Sequence, residues 1–400
     1  MENDFRVLLF AGDINVYSVA RAFYDEYGIV AKVYGKYQTF PCANSKIMDY
    51  RANYEADQRY VFMDLVQEYA HEHFNQKIIL MGCGDSYVQL IADCKKDMPD
   101  NIITPTISGD LMRNLTHKEK FYQRCEEFGI PYPQTFVHRK ELTGIFELPF
   151  EAPFIVKPSN GIEYWNHPFP SQKKVFKCNT REELNSVLAL IYEAGYDDSI
   201  IIQDFIPGDD TYMRVLTNYS DGKGQVKMMC LGHVLLEEHT PHGIGNHAVI
   251  ITEKEPKIEK RYKEFLEEIG YIGFSNFDIK YDQRDDEYKV FEINTRQGRS
   301  NYYVTGAGTN IAKLVVEDLI MNKSLKLNIV SNQHLWMVVP PKLALKYIKP
   351  QEYRDAIKRL IKSKNMSNPL KNKKDRSLKQ CFYFLKNYYG HYIKYKKYLS

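Results

Sequence analysis

The sequence predicts a mixed α/β protein, with a small doubly wound, Rossmann-like domain ahead of a larger α+β domain and a basic extension behind. Three observations carry this. Residues 4–92 alternate apolar strand-like runs with helical periodicity, the pattern of a parallel sheet covered by helices. From 200 to 294, strand-like runs follow one another across short polar turns, which suits antiparallel pairing. Residues 371–400 hold nine Lys/Arg against one acid, Asp375. The expected boundaries are 1–112, then 113–325 (subdomains 113–200 and 201–325), then 326–400.

Bulk composition narrows the class. The chain has 400 residues, 44% hydrophobic and 26% charged, enough for two or three globular domains. No apolar run reaches membrane-spanning length. MENDFRVLLFAGD is acidic and enters a strand at once, so it does not read as a signal peptide. The seven cysteines are scattered without CxxC spacing, which argues for free thiols in a reducing cytoplasm and against zinc or a disulfide framework. A net charge of +3 conceals a tail near +8 on a mildly acidic body. Such a tail implies an anionic partner.

In the first domain RVLLFAG is a buried strand ending at Gly12, Asp13 and Asn15. VYSVARAFYDEYG is a helix with Val16, Val19, Ala20 and Phe23 on one face and Gly28 as its stop. IVAKVYG is a strand, YVFMDLVQEYAHEHF a helix and KIILMG a strand. The loop CGDSYVQLIA follows. The glycine turns AGDIN and GCGDS do not match G-x-G-x-x-G, so they suit a carboxylate or amine substrate, or no ligand, better than a dinucleotide. His71 and His73, two apart, do not share a helix face and are expected in solvent.

Residues 105–140 read as a connector in which Thr116 caps a helix with Glu119 three residues on. Lys118 then sits in a first turn, where the helix dipole favours an anion; a bound phosphate would explain it. Phe154, Ile155 and Val156 form a buried strand running into Lys157, a poorly hydrated cation that also wants an anion. The stretch 159–172 reads as a long polar lid, followed by Lys173 and Lys174. Thr180 and Glu183 form a capping box for the next helix. Ile200–Ile202 is a buried strand. Gln203, Asp204, Phe205 and Ile206 are expected to leave the sheet, exposing backbone groups that a flat purine would satisfy. Asp209 or Asp210 could then accept from a ribose.

GFSNFDIKYDQRDDEYKVFEINTRQGRS (273–300) reads as a hairpin around a polar turn. A turn centred on Asp285 sets Asp278 opposite Glu292. Phe277, Ile279, Tyr281, Phe291 and Ile293 then share one face. Asp278, Lys280, Val290, Glu292 and Asn294 share the other. Opposed carboxylates repel unless a cation lies between them. Oxygen donors on one face suit Mg²⁺. Arg296 and Arg299 follow at once. A solvated hairpin face is the bland alternative.

Lys118, FIVKP, QDFIPGDD, the strand bearing Asp278 and FEINTR occur in the order seen in ATP-grasp ligases, and the chain resembles that family over about residues 110–320. Further stretches (AGDINVYSVARAF, GCGDSYVQLI, MMCLGH, FEINTRQGRS) extend the likeness over most of the chain. There it looks like the members that join the side-chain carboxylate of D-aspartate to the lysine amine of a peptidoglycan precursor stem peptide. The resemblance implies an ATP-grasp fold, an acyl-phosphate route and a cytoplasmic, cell-wall-building ligase. It implies that Lys118 and Lys157 contact the ATP phosphates, that Asp204 to Ile206 read the adenine and that Asp209 or Asp210 holds the ribose. It implies that Asp278, Glu292 and Asn294 hold two Mg²⁺ (Mn²⁺ as a substitute), with Arg296 steadying the phosphoryl group. Many members carry a glycine-rich phosphate loop after KP. Here that loop has one glycine, so Lys173 and Lys174 are the substitute. The alternatives are a ligase for another amino acid or peptide, and a non-catalytic nucleotide-binding regulator. The tail could meet an anionic membrane surface, the nucleotide-linked precursor or RNA, nucleic acid being the least favoured; a helix packed on the body is the bland alternative.

Overall fold

The computed structural model describes residues 4–142, 144, 146–241 and 243–399. The first domain is a five-stranded parallel sheet in the order β3-β2-β1-β4-β5, from β1 (Phe5–Phe10), β2 (Ala31–Gly35), β3 (Met48–Ala52), β4 (Lys77–Gly82) and β5 (Ile102–Ile103). Helices α1 (Ile14–Tyr27), α2 (Arg59–Glu72) and α3 (Asp85–Cys94) connect the strands. Asp13 caps α1 by accepting from the Asn15 and Val16 N–H groups. Gly28, at φ 67°, ends it in the left-handed region that favours glycine. Val16, Val19, Ala20 and Phe23 are all buried, as their spacing predicts.

Next come α4 (Gly109–Thr116), α5 (Lys118–Glu127), β6 (Thr135–His138), β7 (Phe154–Pro158), α6 (Gly161–Asn166), β8 (Phe176–Cys178), α7 (Arg181–Glu193) and β9 (Ile200–Asp204). Their four strands form an antiparallel sheet, β6-β9-β7-β8, with Ile202 opposite both Phe136 and Val156. Val156, Tyr164, Leu184, Ile191 and Tyr196 fill the core behind it. Three expectations change here. Thr116 does not cap α5: it closes α4, its hydroxyl bonded to the Met112 carbonyl 2.9 Å away, and Glu119 instead pairs with Ser199 and Arg139. The lid stretch contains α6, capped by Asn160 accepting from the Glu163 N–H. Gln203 and Asp204 stay in the sheet, opposite Ile155 and Phe154, so the exit falls after Asp204. The Thr180 cap forms as read, and Glu183 reaches back to the Asn179 N–H.

The last part carries β10 (Met213–Ser220), β11 (Val226–Glu237), β12 (His247–Glu253), α8 (Pro256–Glu268), β13 (Gly273–Asp282) and β14 (Glu287–Asn294). They are followed by α9 (Tyr302–Gly306), α10 (Ile311–Leu319), β15 (Asn328–Ile329), β16 (Leu335–Met337), α11 (Pro341–Tyr347), α12 (Gln351–Lys362), β17 (Met366–Ser367) and α13 (Leu378–Tyr398). The sheet runs β14-β13-β10-β11-β12-β16-β17, with β15 beside β11. The β13–β14 turn occupies 283–286, centred half a residue before Asp285, so the Tyr281 ring meets Tyr288 (5.1 Å) instead of Lys289, and the turn sets Asp278 across from Phe291 instead of Glu292. Asp282 at its base is buried and ion-paired to Arg284 (2.6 Å) and Lys289 (2.8 Å). Hydrogen bonds from Arg284 and Lys289 hold its carboxyl below the usual range, burial notwithstanding. The basic extension folds too. Asp375, the lone acid of residues 371–400, is buried and accepts from the Tyr17 hydroxyl (2.9 Å), the Ser45 hydroxyl (2.7 Å) and the Lys46 N–H (2.6 Å).

By packing, the chain forms two units: one of residues 1–109, 214–276 and 294–400, the other of 110–213 and 277–293.

Candidate active site

In the second unit the apolar run of β7 delivers Lys157 into the interior, 6% exposed. Its ammonium donates to the Tyr122 hydroxyl (2.8 Å) and lies 3.5 Å from the Phe291 carbonyl, which also accepts from Tyr122 (2.6 Å). Burial pushes the Lys157 pKa down to about 7. Repulsion from Lys118 and Lys174 adds to this, and Glu292 opposes it. The Glu292 carboxylate, on β14, is paired with Lys174 (3.0 Å) and Lys118 (3.7 Å). Burial works against its charge, yet Lys174, Lys118 and Lys157 together hold its pKa below the usual carboxylate range. Lys118 opens α5, and its N–H is bonded to the Ser159 carbonyl (3.0 Å). Lys173 points elsewhere, over the Phe176 ring at 5.8 Å. Asp278 is half-buried on β13.

The exit of β9 is pinned by Lys280. Its ammonium donates to the carbonyls of Ile206 (3.0 Å) and Gly208 (2.9 Å) and lies over the Phe205 ring. The Asp204 N–H is bonded to the Gln134 carbonyl (3.0 Å), and the Asp204 carboxylate to Arg284. The Gln203 side chain is buried and donates to Thr135 (2.7 Å). Gly208 has φ 101°, and a Cβ there would lie 2.5 Å from the Tyr212 ring, so only glycine fits. One Asp209 oxygen is taken by the Thr211 N–H and hydroxyl; Asp210 begins the short turn that follows.

In the first unit the two glycine loops and the segment after the hairpin meet. Arg296 forms a fork–fork pair with Asp85 (2.7 and 3.1 Å) and donates to the Asn294 side-chain oxygen (3.3 Å). Asn15 donates to the carbonyls of Cys83 (2.8 Å) and Gln297 (3.1 Å), and Asn301 donates back to Asn15 (2.8 Å). Arg299 lies 3.7 Å from Glu238.

Sequence reasoning missed Tyr122, Lys280 and Asp85. Tyr122 looks like one more helix aromatic, and Lys280 like a strand charge. Asp85 carried a signal, an acid opening a helix straight after a glycine turn. Among the described residues no group of three or more His, Cys, Asp or Glu is arranged to hold a metal ion. The expected set of two carboxylates and one carboxamide does not require such a group.

A doubly wound domain joined to α+β units, with the buried Lys157 and its neighbours Lys118 and Lys174 gathered on a hairpin carboxylate, is the ATP-grasp architecture. Solved structures share the fold. An L-amino acid ligase from Bacillus licheniformis superposes at TM-score 0.54, with 17% identity over 79% of this chain and 74% of that one. An N5-carboxyaminoimidazole synthetase from Staphylococcus aureus, complexed with ADP, does so at 0.57 with 14% identity over 88% and 86%. No protein-family model matches the chain. A D-aspartate ligase from Enterococcus faecium (strain Aus0004) is 42% identical over 411 aligned positions, spanning 100% of this chain and 98% of its own. The chain belongs to the D-aspartate ligase family of ATP-grasp carboxylate–amine ligases. It is an ATP-dependent enzyme that forms an amide between an acid and an amine.

Proposed function

We propose that the acid is D-aspartate, activated at its side-chain carboxylate, and that the amine is the lysine of a peptidoglycan precursor stem peptide. The relative named for D-aspartate ligation supports the acid; the cell-wall acceptor follows from the family resemblance. The observation that carries the nucleotide side is a charge imbalance: Lys118, Lys157 and Lys174 surround the single carboxylate of Glu292. Three positive charges on one carboxylate, with Lys157 among them buried, call for a polyanion, and the ATP phosphates supply one. Lys173, which lies over the Phe176 ring, would join them only by turning away from it. The adenine is read at the β9 exit. There Lys280 already occupies the Ile206 carbonyl, and the Ile206 N–H has no partner among the described residues. Phe205 lies beside it, and Asp209 or Asp210 takes the ribose.

Asp278, Glu292 and Asn294 would hold Mg²⁺. Their hard oxygen donors fit it, and when bound the ions supply neutralisation of phosphate charge. Arg296 steadies the phosphoryl group as the γ-phosphorus forms a bond to the substrate carboxylate and the bond to ADP breaks. The amine, as its free base, then attacks the acyl phosphate and phosphate leaves. The α6 stretch is the candidate cover against water.

Purified protein is incubated with ATP, a stem-peptide acceptor and either D-Asp, L-Asp or D-Glu, and ADP release and product mass are read. The expected outcome is acceptor-dependent ADP with D-Asp and a product one aspartyl residue heavier. Equal turnover with L-Asp would overturn the assignment of the acid.

A further inference from the structure

Helix α13 has two faces. Gln380, Tyr388, His391 and Tyr395 are buried; Gln380 donates to the carbonyls of Pro41 and Ala43, and the Tyr395 hydroxyl to that of Glu237. At 100° per residue, Leu378, Phe382, Leu385, Tyr389 and Ile393 fall away from that side, and Tyr392 lies at the border between the two. All are exposed, Phe382 by 64% and Ile393 by 75%. Lys379, Lys386 and Lys397 line one border of this stripe and Lys396 ends it. The helix contains no Asp or Glu.

We infer that this face docks on an anionic lipid surface, with the helix lying in the plane of the interface. An apolar stripe edged by lysines sinks its rings and aliphatic chains to headgroup depth while the ammonium groups meet lipid phosphates. No helix among the described residues is long and apolar enough to cross a membrane. A second copy is a poor occupant: its α13 would set lysines against lysines with no acid to pair them. This inference does not depend on which acid or amine the enzyme joins.

The test uses the full chain. Cys381, the one exposed cysteine among the described residues, lies on the same helix and takes an environment-sensitive dye. Labelled protein is titrated with vesicles of phosphatidylcholine alone or mixed with phosphatidylglycerol, and the unlabelled chain is co-sedimented with the same vesicles. The expected result is a blue shift and co-sedimentation only with phosphatidylglycerol, weakened at least about tenfold by 0.5 M salt. Phe382→Ser with Ile393→Ser, and separately Lys379→Glu with Lys386→Glu, should each weaken binding about tenfold or more while ADP release on soluble substrates is unchanged. Failure of the wild-type chain to bind, or equal binding by the variants, overturns the inference. So does a concentration-dependent dimer that the serine variant dissolves. A raised KM for a nucleotide-linked acceptor in the charge-reversed variant, with vesicle binding intact, also overturns it and assigns the face to the precursor.

Discussion

The two cationic clusters of this enzyme are built on different accounts of charge. In the second unit three lysines share one carboxylate, and one of them, Lys157, is so poorly hydrated that its pKa falls to about 7. In the first unit each arginine faces its own acid, Arg296 with Asp85 and Arg299 with Glu238. A cluster in excess waits for an anion; a cluster in balance must give up a partner to admit one. The first arrangement suits a polyphosphate. The second suits a carboxylate or a transferring phosphoryl group that competes with Asp85 for the same guanidinium.

Removing the one carboxylate of the lysine cluster should have the largest effect. Glu292→Gln should lower turnover by about 10³-fold or more, measured as ADP release, with circular dichroism unchanged. A near-normal rate would remove Glu292 from the site. Next, Lys157→Met should weaken ATP binding about 100-fold without a loss of thermal stability, since an apolar chain replaces a costly buried ammonium. In the wild type the unfolded lysine titrates near 10.5 and the folded one near 7. Between those values the unfolded chain holds the extra proton, so this group makes stability rise with pH across that window. ATP should favour the protonated ammonium, so affinity should fall as pH rises above about 7. Calorimetry of wild type against Lys157→Met isolates both slopes, and identical pH profiles would refute the reading. In the balanced cluster, Arg296→Lys should cost about 10–100-fold in kcat/KM through loss of the fork geometry. Asp85→Asn, which only frees the arginine, should change it by less than about tenfold. If Asp85→Asn proves the more damaging of the two, Asp85 itself handles substrate.

Much of this was legible in the chain. Strands such as Phe154–Val156 and Ile200–Ile202 announce themselves by β-branched and aromatic runs, and a lysine at the end of such a run is conspicuous because hydration is withdrawn from it. Local hydrogen-bond logic worked at Thr180 and failed at Thr116. There a competing bond back to Met112 and a second helix claimed the threonine. What could not be read are pairings set by folding across large separations. Lys174 meets Glu292 118 residues away, and Arg296 meets Asp85 211 away. Lys280 shows the same limit, for nothing near it in sequence announces the carbonyls of Ile206 and Gly208.

Asp375 ties the extension to the rest of the chain. It looks like an interruption in a run of positive charge, yet three donors from α1 and the loop ahead of β3 converge on it. Cutting the chain before it would strand the Tyr17 hydroxyl, which is buried, and the Lys46 N–H without an acceptor. The extension is therefore a keystone of the N-terminal domain as well as a charged surface. Point changes on its outer face, and not truncation, separate the two roles.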